Sequence, residues 1–288
     1  MIPVLLSRIK THDGIPLEGI VVEPKRKSSI ALVWLHGLGS RFSSGQMLIA
    51  ELSAAARKNN FGYLKFNTRG HEIAARGNKK MEGSGFERFE DCILDIRAMI
   101  RFAKTLGYKK IILAGHSTGA NKALYYCYKT KDPAVKGLML LGPISDVAAK
   151  AKEMEAQELR RAIRIADNLA KKNPESLMPL AYGLFTAERF LSLYRAGGVE
   201  DVFPYHNPTA SWKELKSIRI PLAVIIGTSD QHRDRPVSQI MQAFHDHALL
   251  TKSFAGITIK GANHGFRRKE KELVDAIVEW IKKEININ

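Results

Sequence analysis

The chain has 288 residues, 45% of them hydrophobic, which suffices for one large domain with an inserted subdomain. Its formal net charge is +16, but the basic residues are scattered over loops and helix ends without interleaved aromatic residues, so we expect no nucleic-acid partner. No apolar run of about 18 residues and no leader pattern occurs, so we expect neither a membrane span nor secretion.

Cysteine and histidine usage predicts little special chemistry. Cys92 and Cys127 fall in predicted helices and are typical of small buried apolar residues, which favours a cytoplasmic location. His245 and His247 lie two residues apart on a predicted helix and therefore point to nearly opposite sides. Because no cysteine or carboxylate spacing completes a site there, we expect no metal and no cofactor.

The first third of the chain alternates strand and helix patterns. Residues 4–10 and 15–22 predict an antiparallel hairpin with a tight turn at His12-Asp13-Gly14. Ile30–Leu35 is a continuous apolar strand that runs directly into a glycine-rich loop, His36-Gly37-Leu38-Gly39-Ser40. Helices are then predicted at 46–58 and 88–106, with a strand at 63–66 between them.

A polar stretch at 67–85 separates that strand from the next helix. It contains Arg69-Gly70-His71 and is rich in glycine, lysine and glutamate, so it predicts a long loop. The composition fits a solvated connector as well as it fits a border to an active-site mouth.

Residues 109–120, KKIILAGHSTGA, form the chemically most informative segment. Residues 111–114 predict a buried strand, whereas the residues after Ser117 recur at helical spacing. The G-x-S-x-G turn between them places Ser117 where a strand reverses into a helix, and Gly115 and Gly119 leave room for the close approach. The amide groups at the helix N-terminus favour negative charge developing beside the serine.

After a strand at 137–141 the alternation stops for some seventy residues, until the next strand at 222–226. The intervening segment predicts helices at 147–172, 180–185 and 187–194. Their apolar stripe fits a lid that lines a pocket, and it equally fits packing against the main domain. The sheet then resumes, and each of its last two predicted strands precedes a polar loop, Gly227-Thr228-Ser229-Asp230 and Gly261-Ala262-Asn263-His264-Gly265.

The G-x-S-x-G turn in its strand-to-helix context, the H-G-L-G loop and the chain order Ser117, Asp230, His264 together resemble the α/β-hydrolase superfamily. The resemblance covers most of the chain. It implies an α/β fold with a mostly parallel sheet of about eight strands. It also implies a core domain at 1–143 and 211–288, and a helical cap inserted at 144–210.

The resemblance further implies roles for five residues. Ser117 would be the nucleophile, His264 its base and Asp230 the acid that orients the ring, while the amides of Leu38 and Thr118 would form the oxyanion hole.

Other residues compete for two of these roles. Asp146 is an alternative to Asp230, because some members of the superfamily place the acid after the preceding strand, and Asp234, four residues on, is another. His116 and His232 are alternatives to His264.

The expected reaction is hydrolysis of a small-molecule carboxylic ester through an acyl-enzyme intermediate, by a monomer or homodimer. Amides, thioesters or peptides would use the same three groups. A different class of function, a non-catalytic ligand-binding protein on a hydrolase scaffold, is the remaining alternative. HGLGS, FNTRGH and the elbow GHSTGA are similar to segments of several esterase branches, and they do not fix the substrate.

Overall fold

The computed structural model describes residues 3–77 and 81–285. The strands are β1 (Leu5–Lys10), β2 (Pro16–Val22), β3 (Ile30–Leu35), β4 (Gly62–Phe66), β5 (Ala75–Arg76), β6 (Met81–Glu82), β7 (Lys110–His116), β8 (Val135–Leu141), β9 (Leu222–Gly227) and β10 (Phe254–Ile259). The helices are α1 (Gln46–Lys58), α2 (Cys92–Thr105), α3 (Thr118–Thr130), α4 (Asp146–Glu153), α5 (Ala156–Lys172), α6 (Ala187–Tyr194), α7 (Lys213–Lys216), α8 (Val237–His247) and α9 (Glu270–Ile285), with 3₁₀ turns at Phe89–Asp91 and Leu180–Tyr182.

Within the described residues, eight strands form one sheet in the order β1-β2-β4-β3-β7-β8-β9-β10. The β1–β2 and β2–β4 pairs are antiparallel, and all later pairs are parallel. The predicted α/β fold with a mostly parallel sheet of about eight strands is therefore confirmed. Because parallel strands share one direction, the loops after β3, β4, β7, β8, β9 and β10 all leave the same edge of the sheet.

Helices cover both faces of the sheet. In β3, Ala31, Val33 and Leu35 pack toward the face that carries α2, α3 and α8. The alternate residues of that strand belong to the opposite core, with α1 and α9. Burial on both faces explains why β3 reads as an unbroken apolar run rather than an alternating one.

The segment between β8 and β9 has a small core of its own. Buried residues of α5 and α6 pack together there, and Met178 and Phe185, from the segment that connects the two helices, belong to the same core. Toward the end of the segment, Val202 and Phe203 join the larger core beneath the sheet. The helical character of the insertion is therefore as predicted, whereas its boundaries as a separate cap stay a prediction.

Two predicted helices in this segment are wrong in detail. The single helix expected over 147–172 is interrupted, because Met154 is extended, with φ −129° and ψ 136°, between α4 and α5. Ala148 of α4 packs in the main core, whereas Ala162 and Ala166 of α5 pack in the smaller core, so the two halves of the predicted helix pack against different partners. At 180–185 only a 3₁₀ turn forms, and it ends at Gly183 with φ 97°.

The predicted loop at 67–85 is more ordered than a solvated connector. Its residues 78–80 lie outside the described residues, but β5 and β6 pair on either side of them. Arg69 is buried and donates to Asp95 at 2.9 Å and to Asp13 at 3.0 Å. A Cβ added at Gly70 would lie 2.1 Å from the Glu87 carboxylate, so any other residue there would displace this buried group. The two ends of the loop, residues 67–70 and 83–85, are therefore buried in the protein.

Candidate active site

Ser117 lies at the sharp junction between β7 and α3. Its φ of 56° and ψ of −129° are strained for a residue with a side chain. A Cβ on Gly115 would lie 2.1 Å from the Gly119 carbonyl oxygen, and one on Gly119 would lie 2.6 Å from the Leu35 carbonyl oxygen. The G-x-S-x-G spacing is thus explained by steric contact, because only glycines let α3 approach the ends of β3 and β7 this closely.

Two amide groups that line the cavity with Ser117 lack acceptors among the residues the structure describes. Thr118 is the first residue of α3, so its N–H is one of the donors that a helix leaves unpaired. Leu38 lies in the loop after β3, and within the described part of the chain its N–H donates to no protein group. Both residues line the same cavity as Ser117. Both amides are therefore candidates for an oxyanion hole.

The loop that carries Leu38 is held by His36, which sequence reasoning left without a role. The Thr68 N–H donates to His36 Nε2 at 3.0 Å, so the ring proton is on Nδ1, which donates to the Gly37 carbonyl at 3.0 Å. Burial lowers the pKa of His36 to about 3, so the ring is neutral. Because the carbonyl of Gly37 and the N–H of Leu38 belong to one trans peptide, this bond directs the N–H away from His36.

Ser84, from the 67–85 segment, fixes the same loop from the other side. Its hydroxyl accepts from the Gly39 N–H at 3.1 Å and donates to the Glu72 carbonyl at 2.7 Å. The sequence carries no signal for this contact, since the two residues are 45 positions apart.

Asp230 and His264 come from the loops after β9 and β10 and are hydrogen-bonded. His264 Nδ1 donates to Asp230 Oδ2 at 2.7 Å, and Asp230 is only 2% exposed. The other carboxylate oxygen, Oδ1, accepts from the His232 N–H at 3.0 Å. This arrangement fixes the tautomer of the His264 ring and leaves its Nε2 free for a proton from another group.

The backbone around His264 is closely packed. A Cβ on Gly142 would lie 3.1 Å from His264 Cε1, so the loop after β8 presses against the ring. The His264 N–H donates to Gln231 Oε1 at 3.1 Å. Helix α4 holds the same region, because Lys152 Nζ donates to the carbonyls of Gln231 and Arg233.

A cavity of about 380 Å³ contains the candidate residues. It is lined by Ser117, His264, Leu38 and Thr118 from the sheet edge, and by Asp146, Lys150, Glu153 and Tyr194 from α4 and α6. Among the described residues the Ser117 hydroxyl makes no hydrogen bond, so Ser117 and His264 line the same cavity without a hydrogen bond between them. Such contacts often tighten only when substrate binds. Two larger depressions, about 490 and 520 Å³ within the described chain, lie away from Ser117.

Charged groups from α4 give the cavity a mixed electrostatic character. Burial and the nearby Glu200 carboxylate raise the pKa of Asp146 to about 7. The Lys150 ammonium lies 5.1 Å from the centre of the Tyr194 ring and forms no ion pair among the described residues. The cavity is therefore more polar than a channel for long aliphatic chains.

The competing acids pair with other residues, whereas the competing histidines both contact His264. Asp146 accepts from Asn121, and Asp234 pairs with Arg235, so neither contacts His264. His232 packs edge-on against the His264 ring, with 4.7 Å between ring centres. His116 donates to the His264 carbonyl.

The two histidines considered as metal ligands are engaged elsewhere. His245 lies beside Asp246, and the ring of His247 stacks on Trp212. In the described ranges, no group of three or more His, Cys, Asp or Glu residues is arranged to hold a metal ion.

The structure resembles several solved hydrolases. An esterase from Pyrococcus furiosus matches with a TM-score of 0.63 at 18% identity, over 99% of this chain and 92% of that chain. Est1E from Butyrivibrio proteoclasticus with bound ferulic acid matches with a TM-score of 0.67 at 16% identity, over 97% and 99%. A soluble variant of the monoglyceride lipase from Saccharomyces cerevisiae, in complex with a substrate analogue, has a TM-score of 0.67 at 14% identity, over 96% and 94%.

These likenesses establish the fold. A comparison with curated protein sequences gave no significant match. No helix among the described residues is long and apolar enough to span a membrane. Residues 20–286 match the sequence family described as "Protein of unknown function (DUF1749)". The chain therefore belongs to the DUF1749 family and has the α/β-hydrolase fold.

Proposed function

We propose that the protein is a serine hydrolase that cleaves small carboxylic esters through Ser117, His264 and Asp230. The observation that carries the proposal is the 2.7 Å hydrogen bond between Asp230 and His264, in a cavity that also contains the strained Ser117. Three loops far apart in sequence supply these groups at one edge of the sheet, where α/β enzymes bind their ligands.

The chemistry follows from the protonation states. His264 Nε2 takes the proton of the Ser117 hydroxyl as the oxygen attacks the ester carbonyl, and then gives it to the leaving alcohol. Asp230 stabilises the imidazolium formed in between. The N–H groups of Leu38 and Thr118 donate to the oxyanion, each contributing on the order of 3 kcal/mol. Water, activated by His264 in the same way, releases the acid from the acyl-enzyme.

The substrate class rests on two supports. The structural neighbours include an esterase and a monoglyceride lipase, and another neighbour holds ferulic acid. The cavity is small, about 380 Å³, and is lined by charged as well as apolar side chains. We therefore favour esters of short or aromatic acids over long-chain esters.

We also propose that residues 144–210 form a cap over this cavity, with 1–143 and 211–288 as the core domain. The support is that α4 and α6 supply Lys150 and Tyr194 to the cavity wall. We further propose that the protein is located in the cytoplasm. The support is that Cys92 and Cys127 are both buried and form no disulfide, as is usual in a reducing compartment. Assembly as a monomer or homodimer stays a prediction.

Labelling by a fluorophosphonate probe tests the nucleophile. The purified protein should be labelled, and Ser117→Ala should not be.

An aryl-ester panel of increasing acyl length, with matched thioesters and peptide amides, then tests the substrate class. We expect turnover of short esters and none of peptide amides. A folded wild-type protein that is neither labelled nor active on any of these compounds would favour the non-catalytic binding protein instead.

A further inference from the structure

His116, the second residue of the elbow, makes a contact that the catalytic proposal does not use. It is the last residue of β7, and its ring lies beside that of His264 with 5.0 Å between ring centres. His116 Nε2 lies 2.7 Å from the backbone carbonyl oxygen of His264, which is 148 positions away along the chain. The elbow strand and the histidine loop are therefore joined directly.

The chemistry of the contact fixes the state of the His116 ring. A carbonyl oxygen only accepts, so Nε2 must carry a proton and donate it. Burial, together with the neighbouring His264, lowers the pKa of His116 to about 3, so the ring stays neutral at any pH at which His264 works as a base. His116 therefore cannot serve as the base itself, and it remains a constant donor.

The other hydrogen bonds of His264 involve its backbone N–H and its side chain, and not its backbone carbonyl. Gln231 accepts from the N–H and Asp230 accepts from the side chain. Among the described residues, His116 is the one donor to the His264 carbonyl. The loop turns at Gly261, with φ 72°, and at Phe266, with φ 55°, and the His116 bond is its direct link to the elbow strand.

We propose that His116 is a positioning residue for ester hydrolysis: its Nε2–H holds the His264 backbone at the distance from which the imidazole reaches Ser117. The inference rests on the proposed function. Ser117 directly follows His116, so one short segment carries the nucleophile and also the anchor for its base. Small displacements of a base cost catalysis far more than they cost substrate binding, because the reacting atoms must meet within about 3.5 Å.

Two substitutions separate this role from simple packing. Glutamine places an amide N–H near the position of histidine Nε2, so His116→Gln should keep kcat within about threefold of wild type. His116→Phe keeps a ring but removes the donor, so kcat should fall about tenfold or more with KM changed less than twofold. The rate of fluorophosphonate labelling should follow kcat. If the phenylalanine variant does not fold, His116→Asn replaces it, since its shorter amide falls short of the carbonyl.

His247→Phe is the matched control. That ring also donates to a backbone carbonyl, of Ala243 at 2.8 Å, but it lies outside the cavity. It should lower thermal stability and leave kcat unchanged. Equal kcat for wild type and His116→Phe would overturn the inference, as would a rise in KM alone, which would make His116 a substrate contact. Either result leaves the proposed function intact, whereas an inactive, unlabelled wild type removes it first.

Discussion

At Ser117 the backbone stores strain that a smaller residue would release. With φ 56° and ψ −129°, the conformation is costly for any residue with a Cβ and accessible to glycine. Ser117→Ala and Ser117→Gly should both be inactive. In urea denaturation, the free energy of unfolding of Ser117→Gly should exceed that of Ser117→Ala by about 1 kcal/mol. Glycine removes the backbone strain, and this gain outweighs its cost in chain entropy.

An ordinary helical serine should give the opposite order. Ser238 is exposed in the first turn of α8, where glycine is less favourable than alanine by up to about 1 kcal/mol. If glycine were also the less stable substitution at position 117, the elbow would store no strain.

Asp146 predicts a pH-dependent difference in stability. Its pKa is raised to about 7 in the folded protein from an ordinary 3.8, so the folded state keeps a proton that the unfolded chain loses as pH rises between these values. The stabilisation of the folded protein by this bound proton is thus complete below pH 4 and is lost by pH 7. Asp146→Asn does not titrate and should gain about 1 to 3 kcal/mol relative to wild type between pH 5 and pH 7.5.

Urea unfolding of both proteins at those two pH values measures the difference. Asparagine keeps an oxygen for the Asn121 donor, so packing changes little. Unfolding free energies that change in parallel with pH would mean that Asp146 is already ionised in the folded protein at pH 5.

The elbow, as an element, depends on close contact between β3, β7 and α3. A Cβ at Gly119 would lie 2.6 Å from a backbone oxygen that cannot move without shifting β3. Gly119→Ala should therefore lose about 3 kcal/mol or more, or fail to fold. Gly265→Ala is the control, since its Cβ would meet neighbours only at 3.8 Å, and it should be tolerated in thermal melting. Similar melting temperatures for the two variants would contradict the steric explanation.

On the scale of the whole molecule, a buried chain of charges joins the inserted helices to the core. Lys122 of α3 pairs with Glu87 at 2.7 Å, and Arg189 of α6 pairs with Glu87 at 3.3 Å and with Glu200. The Arg189 side chain is 0% exposed. Arg189 Nε also donates to the Ser84 carbonyl at 2.9 Å, so α6 is tied to the same segment that supports the Leu38 loop.

Removing one member of this chain should be costly. Arg189→Met leaves the buried Glu200 carboxylate without its cation and leaves Glu87 with Lys122 alone, so it should destabilise the protein by about 3 to 5 kcal/mol. Arg195, at the end of the same helix, pairs with Asp167 but is 41% exposed, so Arg195→Met should cost less than about 1 kcal/mol. Chemical denaturation of both variants gives the comparison. Equal losses would mean that burial adds nothing to the importance of the Arg189 pairs.

The sequence by itself determined the strand and helix types, the turn that holds Ser117 and the polar loops that hold Asp230 and His264, because these follow from local periodicity and from glycine sterics. Only the tertiary structure decided what joins them. His36, His116, Ser84 and Arg189 act through contacts across 32, 148, 45 and 105 positions, and no local pattern encodes such distances. The break between α4 and α5 has the same cause, since each half packs on a different core, and side-chain period alone cannot reveal which core a helix will meet.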